Sequence, residues 1–300
     1  MHRSVRAAAL LAAATLCACK TKDAATGDSA KVAQSGSAAA APAASASLGS
    51  FDAATHTAVV HAKDYAFDAP DTITAGWTTF HLVNDGAMLH HVQLARLDSG
   101  KTATDAEAAL KNPGPPPRWM VMVGGPNAPD PHGQDDAVVD MTPGNYMILC
   151  MVDVPGGVPH VAKGMFRPLT VTAGTGAAAA EPVADATISL ADYAFTVSGT
   201  LTPGSHVIKV VNNGSQPHEV EMVKLAPGKT ANDMLAWIQK SDGPPPGSAI
   251  GGVAGMAPGS PNYFKTDFTP GNYAFFCFLP DAKDGKPHVM HGMVKEFKIG

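Results

Sequence analysis

Thr142-Pro143-Gly144-Asn145-Tyr146-Met147-Ile148-Leu149-Cys150 is answered by Thr269-Pro270-Gly271-Asn272-Tyr273-Ala274-Phe275-Phe276-Cys277. In both, a Pro-Gly turn feeds a short apolar run, the pattern of a turn into a buried strand. Each run ends on a Cys. The two stretches lie 127 residues apart, and the correspondence extends in both directions. Asp64-Tyr65-Ala66-Phe67 recurs as Asp192-Tyr193-Ala194-Phe195, and Val83-Asn84-Asp85-Gly86 as Val211-Asn212-Asn213-Gly214. Leu97 to Thr102 answers Leu225 to Thr230, and Gly114-Pro115-Pro116-Pro117 answers Gly243-Pro244-Pro245-Pro246. Five collinear matches at a period near 128 mark a domain written twice, not a solenoid of short repeats.

Within each copy most signals are strands. Thr78–Val83 and His206–Val211 are β-branched and apolar, and each ends at an Asn-x-Gly turn. His90–Leu97 with His218–Leu225, Asn145–Met151 with Asn272–Phe278, and Gly164–Thr172 with Gly292–Ile299 supply three further pairs. One helix interrupts each copy. Thr102-x-x-Asp105 and Thr230-x-x-Asp233 have the form of capping boxes with Asp replacing Glu. Each helix stops before its Gly-Pro-Pro-Pro run. The composition agrees: 30 Gly and 25 Pro in 300 residues favour a turn-rich β protein over a helical bundle. The expected fold class is all-β, two tandem β-sandwiches each with a short inserted helix. The expected bounds are 51–172 and 185–300, joined by a small-residue linker at 173–184.

The chain opens Met1-His2-Arg3-Ser4-Val5-Arg6, followed by the apolar run Ala7–Leu16. That run is too short to span a bilayer and suits a signal peptide. It ends Leu16-Cys17-Ala18-Cys19, which resembles the bacterial lipobox. The resemblance implies cleavage after residue 18 and a lipid on Cys19; an ordinary signal cleaved nearby is the other reading. Loss of Arg3 and Arg6 would take the formal charge from −5 to −7. Residues 19–50 are rich in Ala, Ser and Gly and almost free of bulky apolar side chains, which reads as a flexible tether. The expectation is an exported lipoprotein on the periplasmic side of a membrane, the outer one favoured, or at the cell surface. Low, slightly acidic charge argues against a nucleic-acid partner.

Cys17 and Cys19 belong to that leader, so Cys150 and Cys277 remain, one per copy. An interdomain disulfide between them is one reading, since an exported protein permits it. The surrounding residues offer another. After each Asn-x-Gly turn stands a His, His90 or His218. After each Cys come a His and, five residues on, a Met: His160 with Met165, His288 with Met293. Two imidazoles and a thiolate in a plane with a long axial thioether suit copper cycling between Cu(I) and Cu(II). A zinc site would have no use for the Met.

These copies resemble cupredoxins, the type 1 or blue copper domains. Val211 to His218 is similar to the plastocyanin-type approach to the first His ligand, and the spacing from His288 to Met293 and from His160 to Met165 matches that family. The resemblance implies Greek-key sandwiches and one copper per domain. Its ligands would be His90, Cys150, His160 and Met165 in the first copy, and His218, Cys277, His288 and Met293 in the second. Nine residues separate Cys150 from His160 and ten separate Cys277 from His288. That loop is longer than in simple cupredoxins and resembles the type 1 loop of copper nitrite reductase. The residue after the first His, commonly Asn in these families, is His91 or Glu219, which alters the hydrogen bonding near the sulfur.

Nitrite reductases and multicopper oxidases place a His beside the type 1 Cys. Here the flanks are Leu149 and Met151, Phe276 and Phe278, and no His-x-His pair occurs. The expectation is therefore an electron carrier and not an enzyme, with a redox or copper-donor protein as partner. Copper storage, delivery or resistance, with Met290 and His291 as extra ligands, is an alternative. A metal-free sandwich module is a third.

Overall fold

A computed structural model describes residues 47–111, 116–154, 157–174, 179–240 and 242–300. The leader, Cys19 and the tether as far as residue 46 lie outside the described residues, as do Gly114 and Pro115. No helix of the described residues is long and apolar enough to cross a membrane.

The strands alternate along the chain with the period-two burial that a half-covered sheet demands. Thr57–Lys63 alternates intermediate and buried positions until its last residue, and Gly76–Asn84 keeps the same rhythm. These edges close over a core in each repeat. Phe80, Leu82, Leu94 and Ile148 fill the first, with Cys150 and Met165 in the same cluster. Val210, Met222, Phe264 and Phe275 fill the second, with Cys277 and Met293. Burying each large apolar side chain contributes about 1.5–3 kcal/mol. Helices Ala103–Leu110 and Ala231–Lys240 cover smaller clusters outside the second sheet. The capping boxes read from sequence are present: the Asp105 and Asp233 backbone N–H groups donate to the Thr102 and Thr230 hydroxyls at 3.2 Å, and both carboxylates answer the cap N–H groups.

The two repeats share their sheets. One nine-stranded sheet runs through Gly76–Asn84, Gln134–Met141, Pro261–Phe268 and Gly204–Asn212. The other runs through Gly144–Leu149, Gln93–Leu97, Met120–Gly124, Gly247–Met256, His218–Leu225 and Gly271–Phe276. Residues 46–300 therefore form one compact unit. At the junction, equivalent residues face each other. Ala137 pairs with Phe264 in the first sheet and Pro126 with Val253 in the second, each pair 127 residues apart. Their neighbours pair reciprocally: Asp136 with Lys265 and Val138 with Tyr263, Val123 with Met256 and Pro129 with Ile250. This is the register of an isologous interface, made inside one chain.

The repeats differ where proline intervenes. Gly247–Met256 is a ten-residue strand, but its counterpart stops at Gly124. Pro126 and Pro129 cannot donate to a ladder. His218 pairs with Met256, while the counterpart of Met256 is Pro129. The strand expected from His90 therefore begins at Gln93.

Candidate metal centre

The Pro-Gly-Asn-Tyr turns set the Cys-bearing strands. Gly144 and Gly271 both have φ of 153°, and the tyrosines that follow bond back across the turn. The Tyr146 hydroxyl donates to the Thr142 carbonyl at 2.9 Å, and Tyr273 to Thr269 at 2.8 Å. Both tyrosines are fully buried, which fixes where Gly144–Leu149 and Gly271–Phe276 end. Cys150 and Cys277 follow directly, buried and free, so the disulfide reading is not the structure.

The Asn-x-Gly turns seat the first His. The Asn84 carboxamide accepts from the Gly86 N–H at 3.1 Å and donates to the Met88 carbonyl at 2.8 Å. Asn212 repeats this with Gly214 and Gln216. A Cβ on Gly86 would meet His90 Nε2 at 2.5 Å, and one on Gly214 would meet His218 Nε2 at 2.6 Å. The glycines are there because the imidazole lies against the turn.

Backbone bonds then fold the Cys–His–Met loop onto itself. The Val161 N–H donates to the Cys150 carbonyl at 2.7 Å, and the Cys150 N–H to the Met165 carbonyl at 3.1 Å. The Met165 N–H returns to the His160 carbonyl at 3.1 Å. Val289, Cys277, Met293 and His288 repeat the set at 2.8, 3.3 and 3.1 Å. A single 3-10 turn, His160–Lys163 or His288–His291, carries the second His and is closed by a left-handed Gly164 or Gly292.

The result is two matching clusters. In the first, His90 Nδ1 and His160 Nδ1 are 3.0 Å apart, and Cys150 Sγ lies 3.8 and 3.3 Å from them. In the second, His218 Nδ1 and His288 Nδ1 are 3.0 Å apart, with Cys277 Sγ at 3.9 and 3.2 Å. All six side chains are buried. Three donors about 2.0–2.3 Å from one ion stand roughly 3.5–3.8 Å apart in a trigonal array. In each cluster the separation of the Cys from the first His is close to that array and the other two are shorter, all within reach of one shared ion. Met165 and Met293 are fully buried in the same cores, tied by backbone to the Cys and the second His.

Burial keeps these side chains neutral while no ion is bound. Burial pushes the Cys150 thiol up to about 12 and raises the Cys277 thiol as well. Burial lowers His90 and His288, and takes His160 to about 4. Neither a bare thiolate nor an imidazolium is at ease in these cores; a thiolate needs a cation beside it.

Several supporting residues went unread in the sequence. Asp64 takes a hydrogen bond from His90 Nε2 at 2.9 Å, and Asp192 one from His218 Nε2 at 2.9 Å. With its proton on Nε2, each ring presents the Nδ1 lone pair inward. Tyr65 and Tyr193, both at φ 67°, set their rings edge-on to His160 and His288 at 5.4 and 5.6 Å. In the sequence the Asp-Tyr pair recurs with the duplication, and its fixed distance of 26 residues before a recurring His is the signal that points to it. Beside the second cluster lies buried Asp281, 3.9 Å from His288 Nε2 and bonded by Tyr193 and Gln216. Met290 and His291 sit on the outside of the loop, Met290 57% exposed.

No protein-family model matches the chain, and no curated protein does. Among solved structures it is similar to dithionite-reduced auracyanin from Roseiflexus castenholzii, at 20% identity over 39% of this chain and 97% of that one, TM-score 0.29. It is similar to a multicopper oxidase, at 13% identity over 84% of this chain and 92% of that one, TM-score 0.26. It is also similar to the copper nitrite reductase of Nitrosomonas europaea, at 13% over 81% and 93%, TM-score 0.23. The chain's own fold and clusters fit the cupredoxin resemblance read from the sequence. They carry that reading, since likenesses at these scores transfer no site or activity. The expectation that the chain is not an enzyme is corrected by the same set, in which an oxidase and a reductase stand beside blue copper proteins. Missing His neighbours at Cys150 and Cys277 rule out only one way of building a catalytic copper.

Proposed function

We propose that this cupredoxin-like protein holds a type 1-like copper in each repeat and carries electrons. The observation that carries the reading is the pair of buried His/Cys/His clusters, built alike from equivalent elements. His90, Cys150 and His160 would hold one ion, with Met165 as the long axial donor. His218, Cys277, His288 and Met293 would hold the other. Bound copper supplies one-electron chemistry between Cu(I) and Cu(II). The protein holds the donors in a loop whose backbone is bonded at every corner, which limits reorganisation as charge changes, and it keeps both sulfurs out of water.

The leader supports export, with Cys19 lipidated, the membrane as one partner and a redox or copper-donor protein as the other. Residues 51–172 and 185–300 are proposed as the evolutionary units. A storage or delivery role has one supporting observation, the exposed Met290 and His291 beside the second centre.

Purified mature protein reconstituted with Cu(II) is expected to bind two equivalents and show intense thiolate-to-copper absorption. Cys150→Ala and Cys277→Ala should each remove one equivalent and roughly half of the band. Absence of the band, or no loss in either variant, defeats the reading. Voltammetry separates the roles: a reversible couple supports a carrier, and tight Cu(I) binding without one supports delivery. Membrane fractionation of Cys19→Ala tests the anchor.

A further inference from the structure

In each repeat the residue after the first proposed ligand His is buried against the residue after the Cys. His91, next to His90, accepts the Met151 N–H on Nε2 at 2.8 Å. Met151 is bonded to Cys150. In the other repeat Glu219, next to His218, accepts the Phe278 N–H on Oε1 at 2.7 Å. Phe278 is bonded to Cys277. Asn127 lies between them: the N–H of Val92, next to His91, donates to the Pro126 carbonyl at 3.0 Å, and Asn127 Nδ2 donates to the carbonyl of Val220, next to Glu219. All three side chains are buried. Asn127 is itself held in place: its Nδ2 donates to the Val220 and Val253 carbonyls at 3.2 and 3.3 Å, and its Oδ1 accepts the Ala128 N–H at 3.0 Å. It follows Pro126, which sits at the junction between the repeats. Its counterpart in the second repeat is Ala254.

We propose that His91, Asn127 and Glu219 form a bridge for electron exchange between the two copper centres within one molecule. The inference rests on the copper reading above. Electronic coupling decays slowly along covalent and hydrogen bonds and steeply across van der Waals gaps. From Cys150 the bridge runs through Met151 to His91, along the backbone to the Val92 N–H, across to Pro126 and Asn127, from the Asn127 carboxamide to the Val220 carbonyl, and through Glu219 and Phe278 to Cys277. Both sulfurs are therefore joined by bonded contacts across an interior closed to water. The balance is simple: Cu(I) in one repeat loses an electron and becomes Cu(II), and Cu(II) in the other gains it and becomes Cu(I). No proton moves and no bond forms or breaks. Such a pair accepts an electron at one end and delivers it at the other.

The test uses copper-loaded protein in a Met293→Gln background, where different axial donors give the two centres separable Cu(II) spectra. After a sub-stoichiometric pulse of reductant, the two signals should relax toward each other at a rate independent of protein concentration. Asn127→Ala should keep both spectra and slow that phase at least tenfold. Glu219→Leu should slow it likewise, while Glu219→Gln, which keeps an oxygen for the Phe278 N–H, should hold the rate; these two decide the matter if Asn127→Ala does not fold. Relaxation that scales with concentration, or an unchanged rate in both Asn127→Ala and Glu219→Leu, overturns the bridge while leaving the copper reading intact. A protein that forms no thiolate band at all overturns the copper reading, and the bridge with it.

Discussion

The first ligand His of each proposed centre is aimed by an acidic residue 26 positions earlier, Asp64 for His90 and Asp192 for His218. A ring free to flip would offer its Nδ1 lone pair only part of the time, and the carboxylate removes that choice. Residues supporting a metal ligand in this way typically contribute about 10–100-fold in affinity. Asp192→Ala should therefore weaken copper binding at the second centre about 10–100-fold, measured by competition with a chelator, with Cys150→Ala present so that only that centre reports. Undiminished affinity would mean that burial alone orients His218. His81 offers a pH-dependent contact away from both centres. Its Nδ1 lies 2.6 Å from an Asp136 oxygen on the neighbouring strand, and that hydrogen bond raises its pKa above 6.5. A raised folded-state pKa contributes stability that is fully present below the unfolded value and is lost as pH rises through the folded one. Thermal unfolding should thus show a melting temperature that falls between mildly acidic and mildly alkaline pH, with Asp136→Asn flattening that component. An identical slope in the variant would place the titration elsewhere.

At the scale of elements, much of the design is readable in the chain and some is not. The capping boxes, the Pro-Gly-Asn-Tyr turns and the order His, Cys, His, Met are local patterns, and the structure builds each where it was read. His91 and Glu219 were noticed as departures, but their acceptor role depends on the N–H of a residue 59 or 60 positions away. Asn127 has no counterpart in the second repeat, so the repeat pattern gave it no weight. The extents of the ligand strands depended on prolines in a partner strand that periodicity does not see. Gly125 and Gly252 belong to this second group. They have φ of 120° and 135°, and a Cβ on either would meet the Val92 or Val220 carbonyl oxygen at 2.1 Å. Gly252→Ala should cost about 1–3 kcal/mol from overpacking and about 1–3 kcal/mol from the backbone, and it presses on the strand that begins at His218. Gly228→Ala is the control, since it has φ of 75° but nothing within 4 Å. Urea denaturation should find Gly252→Ala the less stable of the two; equal losses would show that the close approach relaxes at little cost.

On the scale of the whole molecule, duplication did more than double a site. Because Ala137 meets Phe264 and Pro126 meets Val253, the two copies associate as the halves of a symmetric dimer would. The pseudo-symmetry extends to side chains: Gly124 lies against Asn262, and Gly251 lies against the equivalent Asp135. Both sheets continue through the junction, so neither copy has a finished edge there. Cutting the chain would leave Pro261–Phe268 as an edge strand open on one side, which templates further pairing. The first candidate to fill it is a second copy of the same strand, in a register that sets Phe264 opposite Phe264 and Lys265 opposite Tyr263. Gly251 of one copy would then take Asn262 of the other, much as Gly124 does within the intact chain. Residues 185–300 expressed alone should therefore form a homodimer, and sedimentation should give twice the mass of the fragment. Lys265→Pro, which removes a ladder donor at the new contact, should shift the fragment toward monomer. A stably folded monomeric fragment would show that each repeat closes its own sandwich and that the continuous sheets are a consequence of tethering, not a requirement of the fold.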